Sequence, residues 1–118
     1  MIYSVHTYTV NQPRPFLLAF CDAGIWHLLA RRRFSGYIGT SVLRSRASSS
    51  QWLVIHFWSS EEAQVKALQS PTMAVLEELT RQLTLASLDL GVFAFQPKLE
   101  EDYHLLETFQ SLATSIAV

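Results

Sequence analysis

The sequence is poor in residues on which several common classes of protein depend. Cys21 is its only cysteine, which excludes an intrachain disulfide and a cysteine-based metal site. Charged residues make up 16% of the chain and the formal net charge is -1, so no positive excess exists to attract nucleic acid or an anionic membrane. Hydrophobic residues make up 49%, which is too much for a disordered chain. We therefore expect one folded domain whose apolar surface is covered by a second copy.

Signals for membranes, secretion and metals are missing as well. The chain has no long apolar segment and no basic, apolar leader at its start, so we expect a cytoplasmic protein that does not bind membranes. His6, His27 and His56 show no H-x-x-x-H or H-E-x-x-H spacing, and we expect no metal site. Cys21 lies in a helical stretch, where we expect a small buried apolar residue and not a nucleophile.

The order of periodic segments predicts the fold. Alternating apolar residues indicate strands at 3–10, 37–46, 52–58 and 89–95. Helical spacing runs through 15–33, weakened at Gly24, and through 60–69, restarting after the Ser70-Pro71 cap. This β-α-β-β-α-β order is typical of an α+β, ferredoxin-like domain, here over residues 1–96. Helices on one sheet face leave the other face to a homodimer partner. Residues 97–118 predict an extra C-terminal helix that docks on its own domain or on the partner.

The third strand and the turn after it are the most informative segment. Trp52, Val54, His56 and Trp58 share one face of this strand, while apolar residues fill the other. A sheet covered on both sides has room for an aromatic-lined cavity against its helices. Ser59 precedes Glu62 by three residues, which is the spacing of a helix capping box.

Two histidines are the candidate catalytic residues. In the split βαβ order the first and third strands are neighbours, so His6 and His56 lie on the face that carries Trp58. A histidine near neutral pKa can take the proton of a phenol. Tyr8 and Trp26 are candidates for binding the substrate beside Trp58. The alternative for each of these residues is a packed, hydrogen-bonded position in the core.

Several segments resemble the antibiotic biosynthesis monooxygenase-type family of the dimeric α+β barrel superfamily. They are Ile2 to Val10, Phe34 to Gly39, and Phe57 to Ala63 with Ser70-Pro71 after it. The resemblance covers roughly residues 1–96. It implies two ferredoxin-like protomers whose sheets pack face to face into a dimeric α+β barrel, each with a cavity between sheet and helices.

The family contains oxygenases that need neither metal nor flavin, and it also contains haem-degrading enzymes. The haem-degrading branch uses an asparagine, a tryptophan and a histidine. Trp58 matches the tryptophan, whereas His6 and Glu77 stand near the other two positions. The resemblance therefore disfavours haem and implies no cofactor.

The leading hypothesis is a cofactor-independent monooxygenase-like protein that acts on an aromatic or quinol-type small molecule in this cavity. The alternative is a non-catalytic dimer of the same fold that binds a small apolar or aromatic molecule or serves in a stress response. One fold hosts many functions, so the fold alone does not decide between them.

Overall fold

The structure, a computed structural model, describes residues 1–21, 24–94, 107–108 and 110–116. The elements follow the predicted β-α-β-β-α-β order, with each helical region divided in two. They are β1 (Ile2–Thr9), α1 (Pro13–Phe20), α2 (Ile25–Arg33), β2 (Tyr37–Arg44), β3 (Gln51–Trp58), α3 (Glu61–Leu68), α4 (Pro71–Leu83) and β4 (Ala86–Ala94).

The strands form one antiparallel sheet in the order β2-β3-β1-β4. This arrangement confirms the predicted α+β, ferredoxin-like fold. The first three strands lie within one or two residues of their predicted bounds, but β4 begins three residues earlier than predicted, at Ala86. Phe95, the predicted end of β4, lies outside the described residues.

Gly24 separates α1 from α2, as its low helix propensity predicted. It is the N-cap residue of α2, and α1 ends at Phe20. A Cβ atom at position 24 would lie 2.3 Å from the backbone oxygen of Ala19. No side chain fits at that distance, so the close approach of the two helices requires glycine here.

The predicted capping box before α3 was wrong by one residue. Ser60 is the N-cap, and its hydroxyl accepts a hydrogen bond from the backbone N–H of Ala63 at 3.1 Å. The Ser59 N–H instead donates to the Gly36 carbonyl at 2.7 Å, which ties the end of β3 to the start of β2. The cap predicted for α4 is confirmed, because Ser70 caps the helix and Pro71 is its first residue.

The two faces of the sheet differ in how far their side chains are buried. The face toward the helices carries buried residues such as Trp52, Val54 and Trp58. The opposite face carries half-buried Leu53, Ile55 and Phe57 on β3, and it continues on β4 with exposed residues, among them Leu88 and Phe93. An apolar sheet face of this kind is typical of one that a partner covers.

Two further expectations concern single segments. Cys21 was expected to be buried, but it is exposed, because it follows the last turn of α1 at the point where the chain leaves the core. Residues 107–108 and 110–116 of the predicted C-terminal extension are helical. The rest of the 97–118 segment lies outside the described residues, so its docking stays a prediction.

Among the described residues, no helix combines the length and the apolar character needed to cross a membrane.

We expect Gly24→Ala to lower the free energy of unfolding by about 1–3 kcal/mol, since the added methyl overlaps a backbone carbonyl. Gly39→Ala is the matched control, because a Cβ there meets nothing within 4 Å. The control should change stability by less than about 0.5 kcal/mol. Urea unfolding measures both variants, and equal effects would contradict the close approach at Gly24.

Candidate functional site

A cavity of about 710 Å³ lies between the sheet and the helices. This volume is in the range of small-molecule sites, roughly 300–1,000 Å³. Residues of β1, β3, β4, α2 and α4 contribute to its wall. The structure brings all five candidate residues to it: His6, Tyr8, Trp26, His56 and Trp58. Their placement together follows the prediction, whereas their roles stay predictions.

The register of the strands places both histidines on the helix-facing side. Ser4 pairs with His56 across β1 and β3, and His6 pairs with Val54. Because residues two apart in a strand share a face, His6 lies diagonally next to His56. Their ring centroids are 6.2 Å apart. A single aromatic molecule in the cavity can therefore reach both rings.

His56 is held in one orientation by two contacts. Its ring stacks on Trp26 with centroids 4.0 Å apart and an interplanar angle of 9°. Its Nδ1 is hydrogen-bonded to the Thr40 hydroxyl at 2.8 Å. Burial, and then the nearby charge of His6, lower the pKa of His56 to about 3. His56 is thus neutral at physiological pH, and Nε2 has no hydrogen-bond partner among the described residues.

The hydrogen bonds continue from Thr40 into α2. The Thr40 hydroxyl is 2.5 Å from the Tyr37 hydroxyl, which is 3.1 Å from Nδ1 of His27. Trp26 and His27 are neighbours at the start of α2. The structure places Trp26 in the cavity wall, while His27 is buried against Tyr37 and does not line the cavity.

His6 lies in a different environment from His56. Its side chain is 28% exposed, and its Nδ1 is 3.7 Å from a carboxylate oxygen of Asp89. A β-bulge in β4 at this point and the positive φ of Gly91, 103°, direct the Asp89 side chain. The same carboxylate oxygen accepts a hydrogen bond from the Gly91 N–H at 2.8 Å. The Asp89 carboxylate therefore lies beside the His6 ring at the wall of the cavity.

Tyr8 and Trp58 complete the wall near the sheet. Burial, together with the carboxylates of Asp89 and Glu77, raises the pKa of Tyr8 to about 12, so its hydroxyl stays protonated. Trp58 is 2% exposed, and its Nε1–H donates to the Ser4 hydroxyl at 3.1 Å. Trp58 thus combines the core position and the cavity position that the sequence left open.

Sequence reasoning missed Thr40, Tyr37 and Asp89. Thr40 is opposite His56 in the β2–β3 register, and that pairing follows once the hairpin turn is placed exactly. Asp89 is opposite His6, but β4 was predicted to begin at Asp89, so its pairing was not considered. Neither Thr40 nor Asp89 belongs to a sequence motif, and only the strand register places them beside the two histidines.

The sequence also raised a metal site and a cluster of arginines. Among the described residues, no three histidine, cysteine, aspartate or glutamate side chains are arranged to hold a metal ion. The arginines of the last turn of α2, Arg31 to Arg33, are exposed, where cations stabilise the helix end.

Comparisons with known proteins agree with this fold. The family model described as antibiotic biosynthesis monooxygenase matches residues 27–79. SnoaB from Streptomyces nogalater, described as a cofactor-independent oxygenase, has the same fold with a TM-score of 0.61 and 22% identity, over 80% of this chain and 92% of that one. A conserved protein from Methanosarcina mazei Go1 matches with a TM-score of 0.58 and 14% identity, over 80% of this chain and 92% of that one. No curated protein gives a significant match.

The structure defines a ferredoxin-like protein with a cavity between its sheet and its helices. The family model matches the central part of the chain, and the solved structures share its fold, which agrees with the family resemblance stated from the sequence.

The buried state of His56 predicts a pH dependence of stability. The unfolded chain takes up a proton at His56 near the ordinary pKa of 6.5, whereas the folded protein takes it up only near 3. Between these values unfolding binds a proton, so stability falls as the pH is lowered, by up to about 1.4 kcal/mol per pH unit. His56→Gln should flatten the slope by that amount in urea titrations between these pH values. A slope that is unchanged in His56→Gln would contradict burial of the neutral ring.

Proposed function

We propose that this chain is a cofactor-independent monooxygenase-like protein that acts on an aromatic or quinol-type molecule bound in the cavity. The observation that carries the proposal is the pair of histidines, His6 and His56, which face one cavity and have opposite environments. Aromatic rings, among them Trp26 and Trp58, form part of the cavity wall.

The proposed reaction begins with removal of a proton. His6 accepts the proton of a phenolic hydroxyl, and Asp89 stabilises the imidazolium that forms. The electron pair stays on the substrate, which becomes an electron-rich phenolate and supplies the electrons that reduce oxygen. Oxygen forms a C–O bond at a ring carbon that carries hydrogen, and the C–H bond of that carbon and the O–O bond then break. The ring becomes a quinone, and the second oxygen atom leaves as water with the two hydrogens that the substrate has lost, so the substrate supplies all four electrons. His56, which burial keeps neutral, forms a hydrogen bond with the substrate and holds it against the Trp26 stack.

Oxygen uptake with a panel of anthrones and quinols tests this proposal. We expect His6→Ala to lower kcat/KM by about 100-fold or more, the usual effect of removing a general base. His56→Ala should lower it less, because His56 positions the substrate and does not hold the proton. Cys21→Ala is a control, since Cys21 does not line the cavity. Turnover that is indifferent to both histidine substitutions would contradict the proposal.

Binding without turnover is the second candidate. It is favoured by the neutral state of His56 and Tyr8, which form a neutral, aromatic wall suited to an apolar ligand. Such a protein would gain thermal stability with aromatic ligands, because a ligand that binds the folded state stabilises it. Stabilisation without oxygen uptake across the whole panel would favour this candidate over the enzyme.

We also propose that the protein is a homodimer formed through the open sheet face. The apolar side chains of that face, among them Ile55 and Phe57, support this. Sedimentation at micromolar concentration should show a dimer, and Phe57→Glu should shift it to monomer by burying a charge at the contact. Leu28→Glu, on an exposed face of α2, is the control. A wild-type monomer would contradict the dimer. The predicted cytoplasmic location stays a prediction.

A further inference from the structure

The charged groups of the cavity wall lie on α4 and on β4. Four lining residues carry a full charge at neutral pH, and three of them are acidic: Glu77, Glu78, Arg81 and Asp89. Arg81 forms an ion pair with Glu78, so these two charges cancel. Glu77 forms no hydrogen bond or ion pair with any described residue. We call Glu77 and Asp89 the acidic edge of the cavity.

Asp89 has one carboxylate oxygen free. Its Oδ1 accepts the hydrogen bond from the Gly91 N–H and lies 3.7 Å from Nδ1 of His6. Its Oδ2 has no hydrogen-bond partner among the described residues. The two carboxylates of the acidic edge face at most one positive charge, that of His6. The edge therefore has an excess of negative charge whether His6 is neutral or protonated.

The Tyr8 hydroxyl indicates that this end of the cavity takes a polar group. Tyr8 is 8% exposed and lines the cavity, and its hydroxyl has no hydrogen-bond partner among the described residues. Burial raises the pKa of Tyr8 most, and the carboxylates of Asp89 and Glu77 add to the rise, which places both near that hydroxyl. A buried hydroxyl without a partner is costly, and a polar ligand group removes the cost.

We propose that the cavity prefers a phenolic ring that carries a protonated amine, with the ammonium group at the acidic edge, over the same ring carrying a carboxylate. An ammonium group has three N–H donors, which suit two carboxylates and the Tyr8 hydroxyl oxygen. A ligand carboxylate meets two like charges there instead. This inference rests on the proposed function, because it names the substrate class of the same cavity.

A cationic ligand is compatible with proton uptake at His6. When His6 has taken the phenolic proton, the imidazolium and the ammonium together carry two positive charges. Glu77 and Asp89 carry two negative ones, so the charges of the occupied cavity balance. Without the ammonium, Glu77 has no counter-charge among the described residues. The second carboxylate, which the proposed reaction does not use, thus has a role in binding.

The affinities of three matched naphthols test the proposal. They carry an aminomethyl, a hydroxymethyl or a carboxyl group at the same ring position, and calorimetry measures each Kd at low ionic strength. We expect the aminomethyl compound to bind about tenfold more tightly than the carboxyl compound, since each exposed ion pair changes a Kd by up to about fivefold. Added salt should narrow the difference. Equal Kd values, or tighter binding of the carboxyl compound, would overturn the proposal and leave the proposed function standing.

Neutral variants of the acidic edge assign the preference to its charges. Glu77→Gln and Asp89→Asn should each lower the ratio of the two Kd values by about threefold, and the double variant should bring it near one. Arg81→Gln should raise the ratio, because it leaves Glu78 without its partner. Glu62→Gln is the matched control, since it removes an exposed carboxylate outside the cavity. An unchanged ratio in the double variant would overturn the proposal. Failure of all three naphthols to bind would instead refute the proposed function.

Tyr8→Phe tests the polar end separately. The Kd of the hydroxymethyl compound should rise by about fivefold, the size of one hydrogen bond, while that of the corresponding methyl compound should stay within about twofold. Tyr3→Phe is the control, since Tyr3 packs on Phe57 and does not line the cavity. Equal changes for the two compounds in Tyr8→Phe would contradict the placement of the polar group beside Tyr8.

Discussion

The antiparallel register between β1 and β3 is the constraint on which the rest of this site depends. It pairs Ser4 with His56 and His6 with Val54, so that both histidines face the helices. Side chains alternate along a strand, and a slip of one residue would move every one of these groups to the opposite face. The buried indole of Trp58, hydrogen-bonded to Ser4, holds the two strands in this register from within the core. The same packing that stabilises the fold therefore also assembles the cavity.

Within that frame, burial gives the two histidines different chemistry. His6 is partly exposed and lies beside the Asp89 carboxylate. His56 is enclosed between Trp26 and Thr40, and its environment favours the neutral ring. A pair of titratable groups whose environments separate their proton affinities is the usual basis for assigning distinct roles in one site. On this basis we propose that His6 takes up the proton and that His56, which burial keeps neutral, hydrogen-bonds the substrate.

The predictable features are those that local sequence determines. The order of strands and helices follows from periodicity, and the interruption at Gly24 and the cap at Ser70-Pro71 follow from backbone chemistry. The placement of His6, His56 and Trp58 on one sheet face follows from the alternation of side chains along a strand and from the pairing of the first and third strands. What failed depends on exact register or on tertiary contact. The cap at Ser60 and the pairing of Asp89 with His6 depend on shifts of one to three residues in the element bounds. The exposure of Cys21 depends on where α1 leaves the core. Thr40 and Tyr37 emerge only when the β2–β3 pairing is known.

The central claim is that the cavity is a binding site for a phenolic ring between Trp26, His6 and His56. A crystal structure of the protein grown with a polycyclic phenol tests it most directly. The account predicts the ring in the cavity, with its hydroxyl within hydrogen-bond distance of Nε2 of His56. A cavity closed by side chains, or a phenol found only on the outer surface, would contradict the account.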